Sequence, residues 1–253
     1  MPHGLTRAVI DAGLPDLQAG EFCQQQPVGR PCLPGADIHM THTTHVLYLH
    51  GFRSSPLSAK AQLMAQWLAR EHPGVYWACP QLPVSPQEAA DVIRHILKDW
   101  PAQTSTVIGS SLGGFYATWA ATEHGMAAVV LNPAVHPARD LAAYIGIHPS
   151  WHDPTQHIEV KPGHMEEMKS LYVGHGLDCL TASDRCKSQA LTDPERLLAV
   201  IAKGDEVLDW REMFARYSSA QTYVLESSDH GISDFADHLN VVSDFLFPPL
   251  DSE

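Results

Sequence analysis

The sequence predicts one α/β domain in which a mostly parallel central sheet is covered by helices on both faces. Strand-type and helix-type segments alternate regularly from about residue 45 onward in this chain of 253 residues, as in parallel sheets with helical crossovers. An apolar content of 44% supports a sizeable core. Ligands of such folds bind beyond the carboxyl ends of the strands. Each candidate catalytic residue is therefore expected directly after a strand.

The individual elements are predicted from short apolar runs and from helix start signals. In the first half we expect strand 46–49, a helix that Ser55 caps and Pro56 begins, strand 75–79, and a helix opened by Ser85, Pro86 and Glu88. Later we expect a strand and a helix around 104–121, strand 127–131, an irregular stretch 132–192, strand 197–202, helix 207–217, strand 222–225 and a final helix with apolar residues from 232 to 246.

A serine stands at the centre of a Gly-x-Ser-x-Gly pattern, between a β-branched run and an apolar helix that Gly125 ends. This context is typical of the nucleophile elbow of α/β hydrolases. The abrupt turn requires Gly109 and Gly113 where a Cβ would clash. A motif centred on Ser110 would need glycines at positions that hold isoleucine and leucine. Ser111 is the predicted nucleophile, and a structural glycine-rich turn is the alternative.

A serine nucleophile needs a base, and the base needs an orienting acid, in the chain order Ser, Asp or Glu, His. His230 follows the last strand and is the predicted general base, with a structural loop histidine as the alternative. Asp205 stands in the turn after the preceding strand and is the predicted acid, with a plain cap residue as the alternative. Asn132 follows an earlier strand but cannot carry the negative charge. Glu206 is assigned to the start of the next helix.

The negatively charged oxygen of an acyl-transfer intermediate needs main-chain N–H donors. One donor is expected from the residue after the nucleophile, which is Leu112. The other is expected from the turn after the first strand, His50-Gly51-Phe52, where the N–H of Phe52 is the best candidate. A tight turn with a buried phenyl ring is compatible with this role, because the donor belongs to the main chain.

Charge and apolar patterning argue against several classes of protein. A formal net charge of −13, without a cluster of lysine and arginine, argues against nucleic-acid binding. No apolar run approaches the roughly 20 residues that span a bilayer. The N-terminus lacks the apolar core of a signal peptide, so a cytoplasmic location is expected. Five dispersed cysteines without a C-x-x-C pair favour reduced thiols over disulfides or a zinc site.

The chain is predicted to divide into an extension and a catalytic domain. Residues 1–40 are rich in Pro, Gly and Gln and are expected to be a disordered extension, or upstream sequence translated from an early start codon. Residues 41–253 form the domain, with a cap segment over about 136–192. His148 and His152 have the i, i+4 spacing of metal ligands, but Pro149 and Pro154 argue against a helix there, and no metal is expected.

Several motifs together resemble the small bacterial YqiA-type esterases of the α/β-hydrolase superfamily. The resemblance runs from about residue 44 to the C-terminus. It rests on the segments Leu47-Tyr48-Leu49-His50-Gly51-Phe52, Ser54-Ser55-Pro56, Ser58-Ala59-Lys60, Pro80-Gln81-Leu82-Pro83, Gly109-Ser110-Ser111-Leu112-Gly113-Gly114, Asn132-Pro133-Ala134-Val135 and Gly204-Asp205-Glu206-Val207-Leu208-Asp209.

The resemblance implies a cytoplasmic serine esterase or thioesterase that needs no cofactor and acts on small acyl esters or acyl-CoA thioesters. Carried over by position, it implies Ser111 as nucleophile, Asp205 as acid and His230 as base. Residues 137–191 look longer and richer in histidine than in that family. An acyltransferase or peptidase on the same triad, and a catalytically silent binding module, remain alternatives. Acyl length, leaving group and oligomeric state stay open.

Overall fold

The computed structural model describes residues 42–150, 155–173, 191 and 193–249. The predicted extension at 1–40 lies outside the described residues. The strands are β1 (His45–Leu49), β2 (Tyr76–Ala78), β3 (Ser105–Ser110), β4 (Ala127–Leu131), β5 (Gly146–Pro149), β6 (His157–Val160), β7 (Leu197–Ala202) and β8 (Gln221–Leu225). The helices are α1 (Ala59–Glu71), α2 (Pro86–Leu97), α3 (Leu112–His124), α4 (Pro137–Ala142), α5 (Gly163–Ser170), α6 (Trp210–Arg216) and α7 (Leu239–Leu246).

Six strands form one all-parallel sheet in the order β2-β1-β3-β4-β7-β8, which confirms the predicted fold class. Every residue of β3, β4 and β7 is buried, as expected for strands covered on both faces. Alternate side chains point to opposite faces. Leu47 and Val107 pack into a core with α2 and α3, whereas Val46 and Ile108 pack with α1 and α7. The sheet therefore carries a hydrophobic core on each side.

The start and stop signals of two helices are confirmed. Ser85 caps α2, its hydroxyl oxygen accepting a hydrogen bond from the Glu88 N–H at 3.2 Å, and Pro86 is the first helical residue. Gly125 ends α3 in the left-handed conformation with φ of +64°. Strands β4 and β7 have the predicted bounds.

Two other helices begin later than predicted. The Ser55 hydroxyl accepts a hydrogen bond from the Leu57 N–H at 3.1 Å, so this segment forms a turn and α1 begins only at Ala59. Likewise α6 begins at Trp210 behind the N-cap Asp209 rather than at residue 207. In both segments, side-chain oxygens accept hydrogen bonds from main-chain N–H groups and so compete with the helix.

The final helix is also shorter than its apolar stripe predicted. Ile232 has φ of +45°, and the Ser233 N–H donates to Asp229 Oδ1 at 2.9 Å, which holds this segment as a turn. A 3₁₀ turn at Phe235–His238 follows before α7 begins. His238 therefore precedes the α-helix, and its Nε2 lies 3.1 Å from Asp234 Oδ2.

The stretch 132–192 was predicted to be irregular, and this is wrong for its described residues. It contains α4, the antiparallel hairpin β5–β6, and α5. These elements are four to eight residues long, too short to show a clear hydrophobic period. Met165 and Met168 of α5 are buried in the core with α2 and α3. Of the helices in the described parts of the chain, none has the length and apolarity needed to cross a membrane.

Candidate active site

Ser111 occupies the sharp turn between β3 and α3. Its φ of +55° and ψ of −120° lie outside the regions that non-glycine residues favour, a strain of about 1–3 kcal/mol. The surrounding main chain holds this conformation. The Ser111 N–H donates to Leu131 O at 2.9 Å, and Ser111 O accepts hydrogen bonds from the Gly114 and Ala134 N–H groups at 2.9 and 3.0 Å. The hydroxyl is thereby raised at the carboxyl edge of the sheet.

The two glycines of the motif lie where side chains would collide with main chain. A Cβ on Gly109 would be 2.0 Å from Gly113 O, and one on Gly113 would be 2.0 Å from Leu49 O. Gly114 is a third close approach that the pattern did not single out, because a Cβ there would be 2.7 Å from Pro133 Cβ. The tight strand-to-helix turn thus excludes side chains at these positions.

Ser111, His230 and Asp205 form one hydrogen-bonded row. His230 Nδ1 lies 2.7 Å from Asp205 Oδ2, and His230 Nε2 lies 3.0 Å from Ser111 Oγ. A carboxylate can only accept, so the Nδ1–H donates to Asp205, and Nε2 is left to accept the Ser111 proton. The structure thus brings together the three residues that the sequence predicted, from the ends of three different strands.

The predicted acid, Asp205, is held in place by main-chain donors. The Asp205 side chain is fully buried, and its Oδ1 accepts hydrogen bonds from the Val207 and Leu208 N–H groups, both at 2.8 Å. Its other oxygen therefore faces His230. The imidazole is 20% exposed and borders the cavity described below. This arrangement orients the ring and fixes its tautomer.

The two predicted oxyanion donors lie beside Ser111. Gly51 approaches so closely that a Cβ on it would be 3.2 Å from Ser111 Cβ, and Phe52 follows it in the same turn. Leu112 is the first residue of α3, where an N–H has no partner within the helix. Within the described chain, no main-chain carbonyl accepts a hydrogen bond from the N–H of Phe52 or Leu112. Both residues line the cavity.

A cavity of about 750 Å³ opens at Ser111 and His230. Its volume is in the range of pockets that bind small molecules. Its lining includes apolar residues of α4 and of the loops near it, which we call the α4 wall: Pro137, Leu141, Tyr144, Val207 and Leu208. The carboxylates of Asp140 and Glu206 line the cavity beside them. Tyr144 also packs edge-on against Phe52, with 5.4 Å between ring centroids. The described part of the cap segment thus contributes directly to the cavity.

The sequence offered His148 and His152 as a pair with the spacing of metal ligands on a helix. His148 lies on β5, and its Nε2 is 2.7 Å from Tyr144 O. His152 lies outside the described residues. In the ranges that the structure covers, no group of three or more His, Cys, Asp or Glu side chains is arranged to hold a metal ion.

A model of the family described as Uncharacterised protein family (UPF0227) matches residues 45–247, from β1 to the end of α7. The chain belongs to this family. It is the YqiA family, so the resemblance that the sequence motifs indicated is confirmed.

Solved structures with low sequence identity share the fold. Alpha/beta hydrolase domain-containing protein 10 from mouse matches with a TM-score of 0.59 and 14% identity, over 81% of this chain and 92% of that chain. Est1E from Butyrivibrio proteoclasticus with bound ferulic acid matches with a TM-score of 0.55 and 13% identity, over 81% of this chain and 87% of that chain. A structure described under the metagenome-derived lipolytic enzymes LipS and LipT matches with a TM-score of 0.53 and 18% identity, over 81% of this chain and 94% of that chain. The chain has the α/β-hydrolase fold.

Asn132 is a site residue that sequence reasoning considered only as an acid and then set aside. It is fully buried after β4, with φ of +43°. Its Nδ2 donates to the carbonyls of Asp229 and His230, both at 3.0 Å, and its Oδ1 accepts from the Ala202 N–H at 2.7 Å. The side chain therefore ties the His230 loop to two strand ends. A polar residue directly after a fully apolar strand was the available signal.

Glu206 was assigned to a helix start, and this is wrong. It lies in the loop before α6, and its Oε2 accepts a hydrogen bond from the main-chain N–H of His230 at 3.0 Å. The contact links the loop that carries Asp205 to the loop that carries His230. Sequence alone gave no sign of it, because the two residues are 24 positions apart.

Proposed function

We propose that this protein is a serine hydrolase that cleaves small acyl esters or acyl-CoA thioesters through an acyl-enzyme intermediate. The observation that carries the proposal is the hydrogen-bonded row of Ser111 Oγ, His230 Nε2, His230 Nδ1 and Asp205 Oδ2, with distances of 3.0 and 2.7 Å. Such a row is the arrangement by which a weak serine nucleophile is activated.

In the first step, His230 Nε2 takes the proton of Ser111 as Oγ bonds to the substrate carbonyl carbon. Asp205 stabilises the imidazolium that forms and keeps its Nδ1–H directed inward. The negative charge on the carbonyl oxygen is held by the N–H groups of Phe52 and Leu112. Collapse of the intermediate breaks the bond to the leaving oxygen or sulfur, which receives the proton from Nε2.

In the second step, water replaces the leaving group. His230 takes a proton from the water as its oxygen attacks the acyl-serine, and the same two N–H groups hold the second oxyanion. The ester bond to Ser111 Oγ then breaks, and the proton returns to the serine. The products are a free acid and an alcohol or thiol, and the enzyme regains its first state.

The cavity and the structural neighbours support an ester substrate of moderate size. The α4 wall offers apolar surface for an acyl chain next to the nucleophile. Two of the similar structures are described as lipolytic enzymes and as Est1E with bound ferulic acid. The description of one neighbour as lipolytic favours hydrolysis over transfer to another acceptor.

The test is hydrolysis of p-nitrophenyl acyl esters and acyl-CoA thioesters over a series of chain lengths. We expect turnover of at least one class, and we expect Ser111→Ala to lower kcat by a factor of roughly 10⁴ or more. A fluorophosphonate probe should label Ser111 in the wild-type chain. The Ser110→Ala variant should still be labelled, because its nucleophile is intact, whereas Ser111→Ala should not.

Two results would contradict the proposal. If wild type and Ser111→Ala are equally inactive on every ester and thioester and the probe labels neither, the fold serves another role, such as binding. If acyl groups are released only when a second alcohol, thiol or amine is added, the protein is an acyltransferase. The ratio of rates on matched esters and thioesters decides which substrate class the site prefers.

A further inference from the structure

A second wall of the cavity carries polar groups that the proposed acyl transfer does not use. Tyr48 of β1, together with Ser58 and Lys60 at the start of α1, lines the same cavity as Ser111. We call these three residues the α1 wall. The Lys60 ammonium donates a hydrogen bond to the carbonyl of Gly231, the residue after the predicted general base. The α1 wall therefore adjoins the loop that protonates the leaving group.

Lys60 is a largely buried cation that forms no ion pair with any carboxylate in the described ranges. Burial lowers its pKa to about 8, although the more distant carboxylates of Asp229 and Asp205 act in the opposite direction. Lys60 also stands in the first turn of α1, which has no acidic residue, at the end of the helix dipole that disfavours cations. The charge of Lys60 is therefore offset only by carboxylates that form no ion pair with it.

Two buried hydroxyls also lie at this wall. Tyr48 is fully buried, and within the part of the chain that the structure describes neither its Oη nor Ser58 Oγ makes a hydrogen bond of full geometry. The Tyr48 hydroxyl lies close to the side chains of Ser58 and Ser110, which act weakly on its pKa. Burial also raises the pKa of Tyr48 well above its usual range, so its hydroxyl keeps its proton and can donate.

The main chain adds further donors at the same place. Ser58 is the N-cap of α1 but makes no capping hydrogen bond. The N–H groups of Ala59, Lys60 and Ala61 have no acceptor among the described atoms. Free N–H groups at the start of a helix, beside a lysine and two hydroxyls, form a favourable environment for an anionic oxygen.

We propose that the α1 wall binds an anionic oxygen, of a carboxylate or a phosphate, that the leaving group of the substrate carries. This inference rests on the proposed function. The leaving group is expected on the α1 side of the cavity, because His230 must deliver its proton to the leaving atom and Lys60 contacts the residue next to His230. The acyl chain then packs against the α4 wall, so that each wall binds one half of the substrate.

Binding of product analogues tests the α1 wall without requiring turnover. The probes are 4-hydroxybenzoate, 4-hydroxyphenyl phosphate and the neutral isostere 4-hydroxybenzamide, each titrated calorimetrically into the full chain at pH 7. We expect at least one anion to bind about ten-fold or more tightly than the amide. The stronger of the two anions identifies carboxylate or phosphate as the preferred group. Equal binding of all three overturns the proposal.

Variants show whether the preference comes from the α1 wall. Lys60→Met should abolish the preference for the anion, Lys60→Arg should retain part of it, and Lys98→Met, at an exposed lysine after α2, should leave it unchanged. Tyr48→Phe should weaken anion binding several-fold with little loss of stability, because its hydroxyl makes no hydrogen bond of full geometry in the described chain. If Lys60→Met weakens charged and neutral probes equally, Lys60 only holds the Gly231 loop, and the proposal is wrong.

Turnover separates this proposal from the proposed function. Hydrolysis of 4-acetoxybenzoate and 4-acetoxybenzamide is compared, since the two esters share an acyl group and differ by one charge. A preference for the benzoate that Lys60→Met removes supports both proposals. If both esters are hydrolysed at equal rates in a Ser111-dependent reaction, and binding shows no preference for the anion, the proposal for the α1 wall is overturned and the proposed hydrolase function stands. Lys60-dependent binding of 4-hydroxybenzoate without any hydrolysis supports the wall and contradicts the hydrolase.

Discussion

The carboxyl edge of the sheet and the cap segment between β4 and β7 are held in place by different kinds of contact. At the sheet edge, main chain binds main chain: the Ser111 N–H donates to Leu131 O, and the Asn132 N–H donates to Val200 O, both at 2.9 Å. The cap segment is attached through side chains. Arg139 of α4 donates to both carboxylate oxygens of Glu212 at 2.7 Å, and Glu167 of α5 accepts from the start of α2.

This difference separates a part of the site that main-chain hydrogen bonds hold from a part that side chains hold. Main-chain contacts at the sheet edge depend on strand register and on glycine, so changes of surface side chains leave the reacting groups in position. Side-chain contacts can be exchanged one by one, and the wall they position can change with them. We therefore expect substitutions at the sheet edge to affect the rate of reaction and substitutions in the cap segment to affect stability or substrate preference.

The largest effect is expected for Asp205→Asn. The amide keeps the size of the carboxylate but carries no negative charge to stabilise an imidazolium. Its single oxygen is also the acceptor that the Val207 and Leu208 N–H groups need, which turns the NH2 group towards His230. We therefore expect kcat to fall by roughly 10³–10⁴. Steady-state hydrolysis of the best p-nitrophenyl ester measures this. Asp209→Asn is the matched control, since Asp209 caps α6 on the same loop, and it should change kcat by less than about three-fold. Equal effects of the two variants would remove Asp205 from the mechanism.

A smaller effect on rate is expected for Asn132→Gly, which tolerates the positive φ and removes only the side chain. The carbonyls of Asp229 and His230 lose their shared donor. We expect kcat to fall about 10- to 100-fold with little change in KM, and the free energy of unfolding to fall by about 3 kcal/mol, because buried groups lose partners. Enzyme kinetics and urea unfolding measure the two effects.

The control for Asn132 is Thr118→Val, which removes a buried hydroxyl of α3. Thr118 Oγ1 donates to Gly114 O and lies 2.9 Å from Tyr217 Oη, away from the His230 loop. This variant should lose about 1–2 kcal/mol of stability and keep kcat within about two-fold. If Asn132→Gly behaves in the same way, the Asn132 side chain stabilises the fold but does not position the base.

The same contrast explains which features the sequence predicted. The bounds of β4 and β7 and the residues Ser111, Asp205 and His230 follow from local signals: apolar runs, a glycine pattern and a position after a strand. The roles of Glu206 and Asn132 depend on partners 24 and 97 residues away, and no local pattern marks such contacts. The hairpin β5–β6 has four residues per strand and only intermediate or exposed residues at seven of its eight positions, so alternation could not reveal it.

The smallest effect is expected for Glu167→Gln, which weakens the attachment of α5. Glu167 Oε2 accepts hydrogen bonds from Ser85 Oγ at 2.7 Å and from the Gln87 N–H at 3.1 Å, at the N-terminus of α2. Burial opposes ionisation, but these two hydrogen bonds outweigh it and hold the pKa below its ordinary value of 4.5. We expect the variant to lose about 1 kcal/mol of stability at pH 7, with kcat on a short-chain ester unchanged.

The pH dependence of this loss follows from the sign of the pKa shift. Because the pKa is lower in the folded chain than in the unfolded chain, the ionised carboxylate stabilises the fold above the unfolded pKa, and the stabilisation disappears as the pH falls through the folded pKa. Urea unfolding at pH 7 and near pH 4 should therefore show a smaller gap between wild type and Glu167→Gln at the lower pH. Glu166→Gln, an exposed neighbour paired with Lys169, is the control and should cost under about 0.5 kcal/mol. A gap that widens on acidification would contradict the direction of the Glu167 pKa shift. A fall in kcat on the short ester would mean that α5 supports the sheet edge and that the two regions are not independent.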